Sequence, residues 1–200
     1  MKNMNSKNRL KLISCLATCS RGVGAVKRNL AVVKGRQLAL AAIVAAISSV
    51  SVAAVLTPSS MVSSVIFARA SFADPTDVKF KIKGQAEEVI NVNGAGDTVM
   101  QKIVIEPGGH TGWHSHPGPV VVLIAAGEMS FYDGDDPTCT ARTYSLGEAF
   151  VDSGQGHVHI ARNEGSVPLE LYVTYFDVTP GVPAPSAFRI DVPAPGNCSF

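Results

Sequence analysis

Hydrophobic and polar residues alternate along much of the second half of the chain. In residues 98–106 (TVMQKIVIE) the alternation places Val99 and Ile103 on one face, and residues 169–178 (LELYVTYFDV) repeat the pattern. A period of two residues is typical of a β-strand with one buried face. Helix signals are nearly absent from this part of the chain, so we expect an all-β domain.

Further strand-like runs fill the segment between these two. The run 119–126 (PVVVLIAA) is apolar throughout, which is typical of a strand buried on both faces. Glycine and proline mark the junctions, and short strands at such spacing predict an antiparallel sandwich or barrel. We expect this domain to span 74–179, followed by an irregular tail at 180–200 that holds five prolines. The other predicted strands are 78–83, 128–132, 140–145 and 148–151.

A continuous apolar stretch precedes the strand pattern at residues 38–56 (LALAAIVAAISSVSVAAVL). As a helix it is long enough to cross the ~30 Å hydrocarbon core of a bilayer. Nine Lys and Arg residues come before it and predict a cytoplasmic N-terminus. Small residues follow within 68–73 (ARASFA), as a signal peptidase requires. We expect residues 1–73 to be an export leader, either cleaved as a signal or kept as a single membrane anchor.

Charge divides the chain at Asp74, its first acidic residue. Residues 1–73 carry ten Lys and Arg residues, whereas residues 74–200 carry seven against sixteen Asp and Glu, a net charge of −9. Nucleic-acid-binding proteins need a basic face, so the acidic body argues against nucleic acid as a partner. Combined with the leader, the pattern predicts a periplasmic or extracellular domain, secreted or membrane-anchored.

The two cysteines of this acidic body are Cys139 and Cys198. An even number of cysteines in an exported domain favours a disulfide. Such a bridge would attach the tail at 180–200 to the predicted hairpin around 133–140.

All five histidines of the chain fall in two short windows. Alternate residues of an extended strand point to the same side, so each His-x-His pair presents two imidazoles together. Neutral imidazole is the commonest metal ligand, and two such pairs predict a site for one divalent transition metal, with Fe, Mn, Zn, Ni and Cu all suitable. Spacing alone allows either residue of the second pair as the ligand. The windows are His110, His114 and His116, then His157 and His159.

The same windows resemble the two sequence motifs of the cupin superfamily. The resemblance covers about residues 98–175 and implies a double-stranded β-helix, a small antiparallel jelly-roll barrel. It also implies His114, His116 and His159 as the metal ligands. The matching residues are Gly108, His114, His116 and Gly127 in the first motif, and Gly147, Gly156, His159 and Asn163 in the second.

Each motif departs from the family pattern at one point. The glutamate of the first motif falls at position 120 or 121, and both residues are Val. The resemblance therefore implies a three-histidine site, as in thiol dioxygenase-like cupins. The second motif is one residue longer than the pattern, and we place the extra residue in a turn at 152–155.

Three further residues are candidates for contact with a ligand or with the metal ligands. His157 lies nearer the predicted turn and barrel mouth, where it would contact the ligand or shuttle protons. Trp113 could stack on a ligand, with core packing as the alternative. His110 fits neither motif and is expected at the rim of the site.

These features support two main functional hypotheses. A three-histidine site with open coordination positions suits metal-assisted oxygen chemistry or Lewis-acid catalysis on a small organic molecule, as in a dioxygenase-like or isomerase-like cupin. The alternative is a non-enzymatic module that binds a small molecule or a metal. A protein that uses the barrel only as an interaction scaffold is a third hypothesis. Oligomeric state, a homodimer included, stays open.

Overall fold

The computed structural model describes residues 55–83 and 87–200. The predicted apolar helix at 38–56 lies outside them apart from its last two residues, as does most of the basic leader. Within the described residues, no helix is long and apolar enough to cross a membrane.

Twelve β-strands make up the described part of the chain, which contains no α-helix. The strands are β1 (Ser60–Ser71), β2 (Val78–Lys83), β3 (Glu87–Val92), β4 (Asp97–His110), β5 (His114–Ser115), β6 (Val120–Ala126), β7 (Glu128–Asp133), β8 (Arg142–Ser145), β9 (Ala149–Asp152), β10 (His159–Arg162), β11 (Leu169–Val178) and β12 (Ile190–Asp191).

Ten strands form one antiparallel sheet that curls into a nearly closed barrel. One layer has the order β1-β4-β11-β6-β9, and the other consists of β12-β5-β10-β7-β8. The layers join where β10 pairs with the end of β4, at Arg162 and His110. Strands β2 and β3 form a separate two-stranded sheet. The all-β prediction is confirmed, and the predicted bounds of β2 and β11 match the structure.

The barrel core comes from alternate residues of the long strands. Leu169 of β11 pairs with Ile105 of β4, and both side chains are fully buried. Full burial of an aliphatic side chain contributes about 1.5–3 kcal/mol. The alternation that predicts these strands is therefore also what fills the interior between the layers.

Strand β6 differs from its prediction as a strand buried on both faces. Val120, Val122 and Ile124 are buried, but Leu123 between them is 44% exposed. The reason is that β6 lies between β11 and β9 in a single layer, so only one face meets the core. The apolar residues on the other face lie at the surface.

Strand β1 lies within the segment that the sequence assigns to the leader. It pairs with β4 from Ser71 opposite Asp97 to Ser60 opposite His110. Arg69 anchors it by donating to the Asp97 carboxylate at 2.7 Å and to two carbonyls near the start of the tail. The small residues that resemble a cleavage site thus lie almost entirely in a paired strand of the barrel sheet.

The C-terminal tail is held against the second layer. The predicted disulfide between Cys139 and Cys198 is present, with 5.2 Å between the Cα atoms. The tail is not wholly irregular, because β12 pairs with β5 next to His114. Asn197 adds hydrogen bonds to the carbonyls of Asp133 and Asp136.

Candidate metal centre

Three histidines from the two sequence windows meet inside the barrel. His159 of β10 is the cross-strand partner of His114 in β5, and His116 follows β5 directly. The three side chains offer nitrogen atoms that all lie within 4.8 Å of one another. Their ring centroids are 4.4 to 5.1 Å apart, and each residue is about 95% buried.

The turn after β9 brings the second window against the first. Gly156 N–H donates to the His116 carbonyl at 3.2 Å, and Gln155 N–H donates to the Pro117 carbonyl at 3.2 Å. Gly154 has a φ of 62°, and a Cβ there would clash with the carbonyl of Gly118. Only glycine accommodates both the positive φ and the lack of space for a Cβ, so Gly154 permits the close approach of the two windows.

Hydrogen bonds to main-chain carbonyls orient two of the three imidazoles. His114 Nδ1 lies 2.8 Å from the Gly112 carbonyl, and His116 Nδ1 lies 2.6 Å from the Phe188 carbonyl. A carbonyl only accepts, so both Nδ1 atoms carry the proton and both Nε2 atoms keep a free lone pair. Metal-binding histidines are typically held this way. His159 Nδ1 is buried without a hydrogen-bond partner.

Burial keeps the three imidazoles neutral at ordinary pH. It lowers the pKa of His159 to about 3. Burial also lowers the pKa of His116. It lowers the pKa of His114 well below the usual value, and the neighbouring His159 and His116 lower it further. Neutral imidazole is the form that binds a metal. The three residues therefore fit a divalent transition metal in donor type, protonation and spacing.

His157 belongs to a different arrangement, although it is only two residues from His159. It precedes β10, so the strand geometry that would align the two side chains is absent there. Its Nδ1 lies 2.8 Å from Asp152 Oδ1, and its Nε2 lies 3.0 Å from Asp133 Oδ1. These two carboxylates raise the pKa of His157 to about 10. His157 is thus a charged bridge between two aspartates, outside the three-histidine group.

Asp152 is a residue of the site that the sequence patterns do not reveal. Its side chain is 2% exposed, and Oδ1 lies 3.6 Å from His159 Nδ1. Burial raises its pKa, but the histidines around it outweigh this effect and leave the pKa below the usual value. It pairs across strands with Val120, one of the two positions where the family pattern would have glutamate. Only the β6–β9 register shows this proximity.

The other two candidate residues lie away from the three imidazole rings. Trp113 is buried in a second apolar cluster with Tyr132 and Ile160, against which the disulfide cysteines pack. His110 lies at the end of β4, where its Nδ1 accepts a hydrogen bond from Gly112 N–H. For Trp113 the contacts match the core-packing alternative.

A cavity of about 330 Å³ adjoins His114 and His116. Its size is at the lower end for small-molecule sites. Buried Tyr175 donates to Gln101 Oε1 at 2.9 Å on its wall, and Arg189 lies on the tail side. A second space of about 40 Å³ lies among the three histidines, Asp152 and apolar side chains of the core. The larger cavity is lined by β1 (Val62, Ser64), β4 (Gln101, Ile103), β11 (Tyr175) and the tail (Phe188, Arg189, Asp191), among others.

Comparison with solved structures finds similar barrels. A protein with a double-stranded β-helix domain from Klebsiella pneumoniae is 22% identical over 48% of this chain and 74% of its own, with a TM-score of 0.38. A cupin-like protein from Thermotoga maritima is 26% identical over 38% of this chain and 55% of its own, with a TM-score of 0.35. The described residues form the antiparallel two-layer barrel that the cupin resemblance implies.

An oxalate oxidase is a further similar structure, 25% identical over 40% of this chain and 41% of its own, with a TM-score of 0.35. The match spans about half the length of a polyketide cyclase from Streptomyces resistomycificus, at 19% identity and a TM-score of 0.35. No family model and no curated protein matches the chain.

Proposed function

We propose that this protein binds one divalent transition metal through His114, His116 and His159 and takes a small organic ligand in the adjoining cavity. The convergence of three buried, neutral imidazoles carries the proposal. Two of them have their second nitrogen oriented by a carbonyl. Three protein ligands leave open coordination positions, as required if a small molecule is to bind beside the metal.

The cavity supports a ligand that is partly polar. Its wall combines apolar side chains with the Gln101–Tyr175 hydrogen bond and with Arg189. When bound, the metal would supply Lewis-acid or oxygen chemistry. The protein's own part is to orient the ligand through these polar groups and to exclude water with β1 and the tail. A binding module without turnover is the second candidate, favoured by Val at positions 120 and 121.

Metal content of the full chain, purified without a metal-affinity tag, tests the first part. We expect a transition metal in near-stoichiometric amount, either as purified or after reconstitution of the stripped protein. A chain that binds none of Fe, Mn, Zn, Ni or Cu would contradict the metal site and leave a metal-free binding module or the scaffold hypothesis. Oxygen uptake by the loaded protein with candidate small acids and thiols separates a dioxygenase-like enzyme from a binding module.

Filling the cavity with a larger side chain tests the ligand site independently of the metal. Ser64 on β1 lines the cavity, whereas Ser63 next to it points to the other side of the strand. We expect Ser64→Phe to weaken binding of any small ligand found for the wild type and to leave metal content unchanged, with Ser63→Phe as the matched control. Equal ligand binding by both variants would move the ligand site elsewhere.

We further propose that the protein works outside the cytoplasm. The Cys139–Cys198 disulfide favours an oxidising compartment, and the basic leader with its apolar run supports export. A reporter enzyme that works only outside the cytoplasm should be active when it is fused after residue 200. Activity of a reporter that works only inside the cytoplasm would contradict export. Because β1 is part of the barrel sheet, we expect N-terminal sequencing of any processed form to show a cut before Ser60.

A further inference from the structure

The three candidate ligands differ in how their second ring nitrogen is held. His114 and His116 each direct Nδ1 at a main-chain carbonyl. His159 Nδ1 is equally buried but has no hydrogen-bond partner. Since buried polar groups are nearly always paired, this atom calls for an acceptor that closes on it.

Asp152 is the acceptor that the structure offers. Its Oδ1 lies 3.6 Å from His159 Nδ1, and the carboxylate is almost completely buried. A shift of about 0.5 Å would bring the two atoms into hydrogen-bond range. Within the described residues, the main-chain carbonyl of His157 is another acceptor near the His159 ring, but it makes no hydrogen bond to Nδ1.

The same carboxylate is held from its other sides. His157 Nδ1 lies 2.8 Å from Oδ1, and Gly154 N–H donates to Oδ2 at 3.3 Å. His157 is itself attached to Asp133 through Nε2. Asp152 therefore has a defined orientation next to the His159 ring.

Asp152 falls in a different group of possible ligand atoms from His114 and His116. One set of possible ligand atoms within 4.8 Å joins His159 to His114 and His116, and another joins it to Asp152 and His157. His159 is the member that both sets share. This placement fits an outer carboxylate that orients the ring, because a direct fourth ligand would fall in the first set.

We propose that Asp152 is the positioning residue of the proposed metal site. It accepts the proton-bearing Nδ1 of His159 and so presents Nε2 to the space shared with His114 and His116. His157 fixes the carboxylate in this role. The inference rests on the proposed function for its purpose, but the Asp152–His159 contact can be tested without a metal.

The tautomer of His159 in the metal-free protein is the direct test. Long-range ¹H–¹⁵N correlation spectra of ¹⁵N-histidine-labelled protein distinguish the Nδ1–H form from the Nε2–H form. We expect Nδ1–H in the wild type and in Asp152→Asn, which keeps an oxygen acceptor, and a shift toward Nε2–H in Asp152→Ala. Asp133→Asn is the matched control, because it removes the carboxylate on the far side of His157, and it should leave the tautomer unchanged.

Metal affinity supplies the second readout. Loss of an outer-sphere partner typically costs ~10–100-fold in affinity, so Asp152→Ala should weaken Co²⁺ binding by that factor and alter the visible spectrum of the bound Co²⁺. Asp152→Asn should recover much of the affinity, and Asp133→Asn should match the wild type.

Two results would overturn the inference. One is the Nε2–H tautomer at His159 in the wild type, which needs no variant and holds even if Asp152→Ala fails to fold. The other is an unchanged tautomer and unchanged Co²⁺ affinity in folded Asp152→Ala. A wild type that binds no metal but keeps His159 as Nδ1–H, with a shift toward Nε2–H in Asp152→Ala, would instead contradict the proposed function and leave the contact established.

Discussion

Two histidine groups lie side by side in this barrel and differ in every electrostatic respect. The first, His114, His116 and His159, is buried and neutral, with two ring nitrogens directed at main-chain carbonyls. The second centres on His157, which is partly exposed and bridges Asp133 and Asp152. Asp152 touches both groups, since it lies next to His157 and His159 alike.

The comparison teaches how far environment overrides residue type. Burial lowers the pKa of His159 to about 3, whereas two carboxylates raise the pKa of His157 to about 10. Desolvation penalises the charged ring and adjacent anions stabilise it. His159, a proposed metal ligand, and His157, a structural cation, are thus only two positions apart in the sequence. We expect variants of His159 to lose metal and variants of His157 to lose stability.

The largest difference is expected in metal retention. His159→Ala removes one of three ligands, a larger loss than the ~10–100-fold typical of an outer-sphere residue. We expect the variant to lose its metal on dialysis, as measured by elemental analysis. His110→Ala is the control, since this histidine lies outside the group and should retain metal. Retention by His159→Ala, and likewise by His114→Ala, would mean that the group is not a metal site.

Removal of the disulfide should act on both groups through the tail. The Phe188 carbonyl of the tail orients His116, and Asn197 binds the Asp133 carbonyl. Replacing Cys139 and Cys198 together by Ser should lower the free energy of unfolding by ~2–4 kcal/mol, as measured by urea titration. Equal stability of the double variant and the oxidised wild type would show that the tail stays docked without the bridge.

We expect a smaller effect on metal content from a substitution of His157, the centre of the second group. His157→Gln leaves all three proposed ligands in place, so metal content should stay close to wild type while unfolding occurs at lower denaturant concentration. The stability should fall because His157 no longer bridges the two aspartates as a cation. Loss of metal comparable to that in His159→Ala would move the ligand from His159 to His157.

The pH dependence of stability sharpens the same contrast. The folded pKa of His157, about 10, lies above its ordinary value of 6.5, so its stabilising contribution is complete below about pH 6.5 and is lost as pH rises toward 10. Wild-type unfolding free energy should decline across this range, and the decline should be shallower in His157→Gln. Parallel curves for the two proteins would contradict the charged bridge.

Much of the barrel could be predicted because its strands alternate. The periodicity at Val99–Ile105 and at Leu169–Val178 reflects one face in the core and one outside. The sequence pattern places the residues of β1 in the leader, because they follow an apolar run and end in small residues typical of a cleavage site. Its role as a strand comes from pairing with β4, whose paired residues lie 26 to 50 positions away along the chain.

Only part of the candidate site can be predicted from local sequence patterns. The clustering of histidines identified the two windows, because ligand type and spacing are local properties, and the cupin resemblance implied His159 rather than His157 in the second window. No local sequence signal marks Asp152 as part of the site, since its closeness to His159 depends on the turn at Gly154 and on the register of β9 against β6. Such register is a property of two distant segments, and no single stretch of sequence contains it.

The sequence by itself determined the all-β class, the disulfide pair and the two histidine windows that meet in the barrel. Each follows from a local signal: alternation, the number of cysteines in one segment, or paired imidazoles on a strand. Only the tertiary structure decided that His157 bridges two aspartates, that Trp113 packs in the core and that Asp152 lies beside His159. The physical reason is that protonation and partnership are set by burial and by neighbours brought from distant strands, which local patterns do not encode.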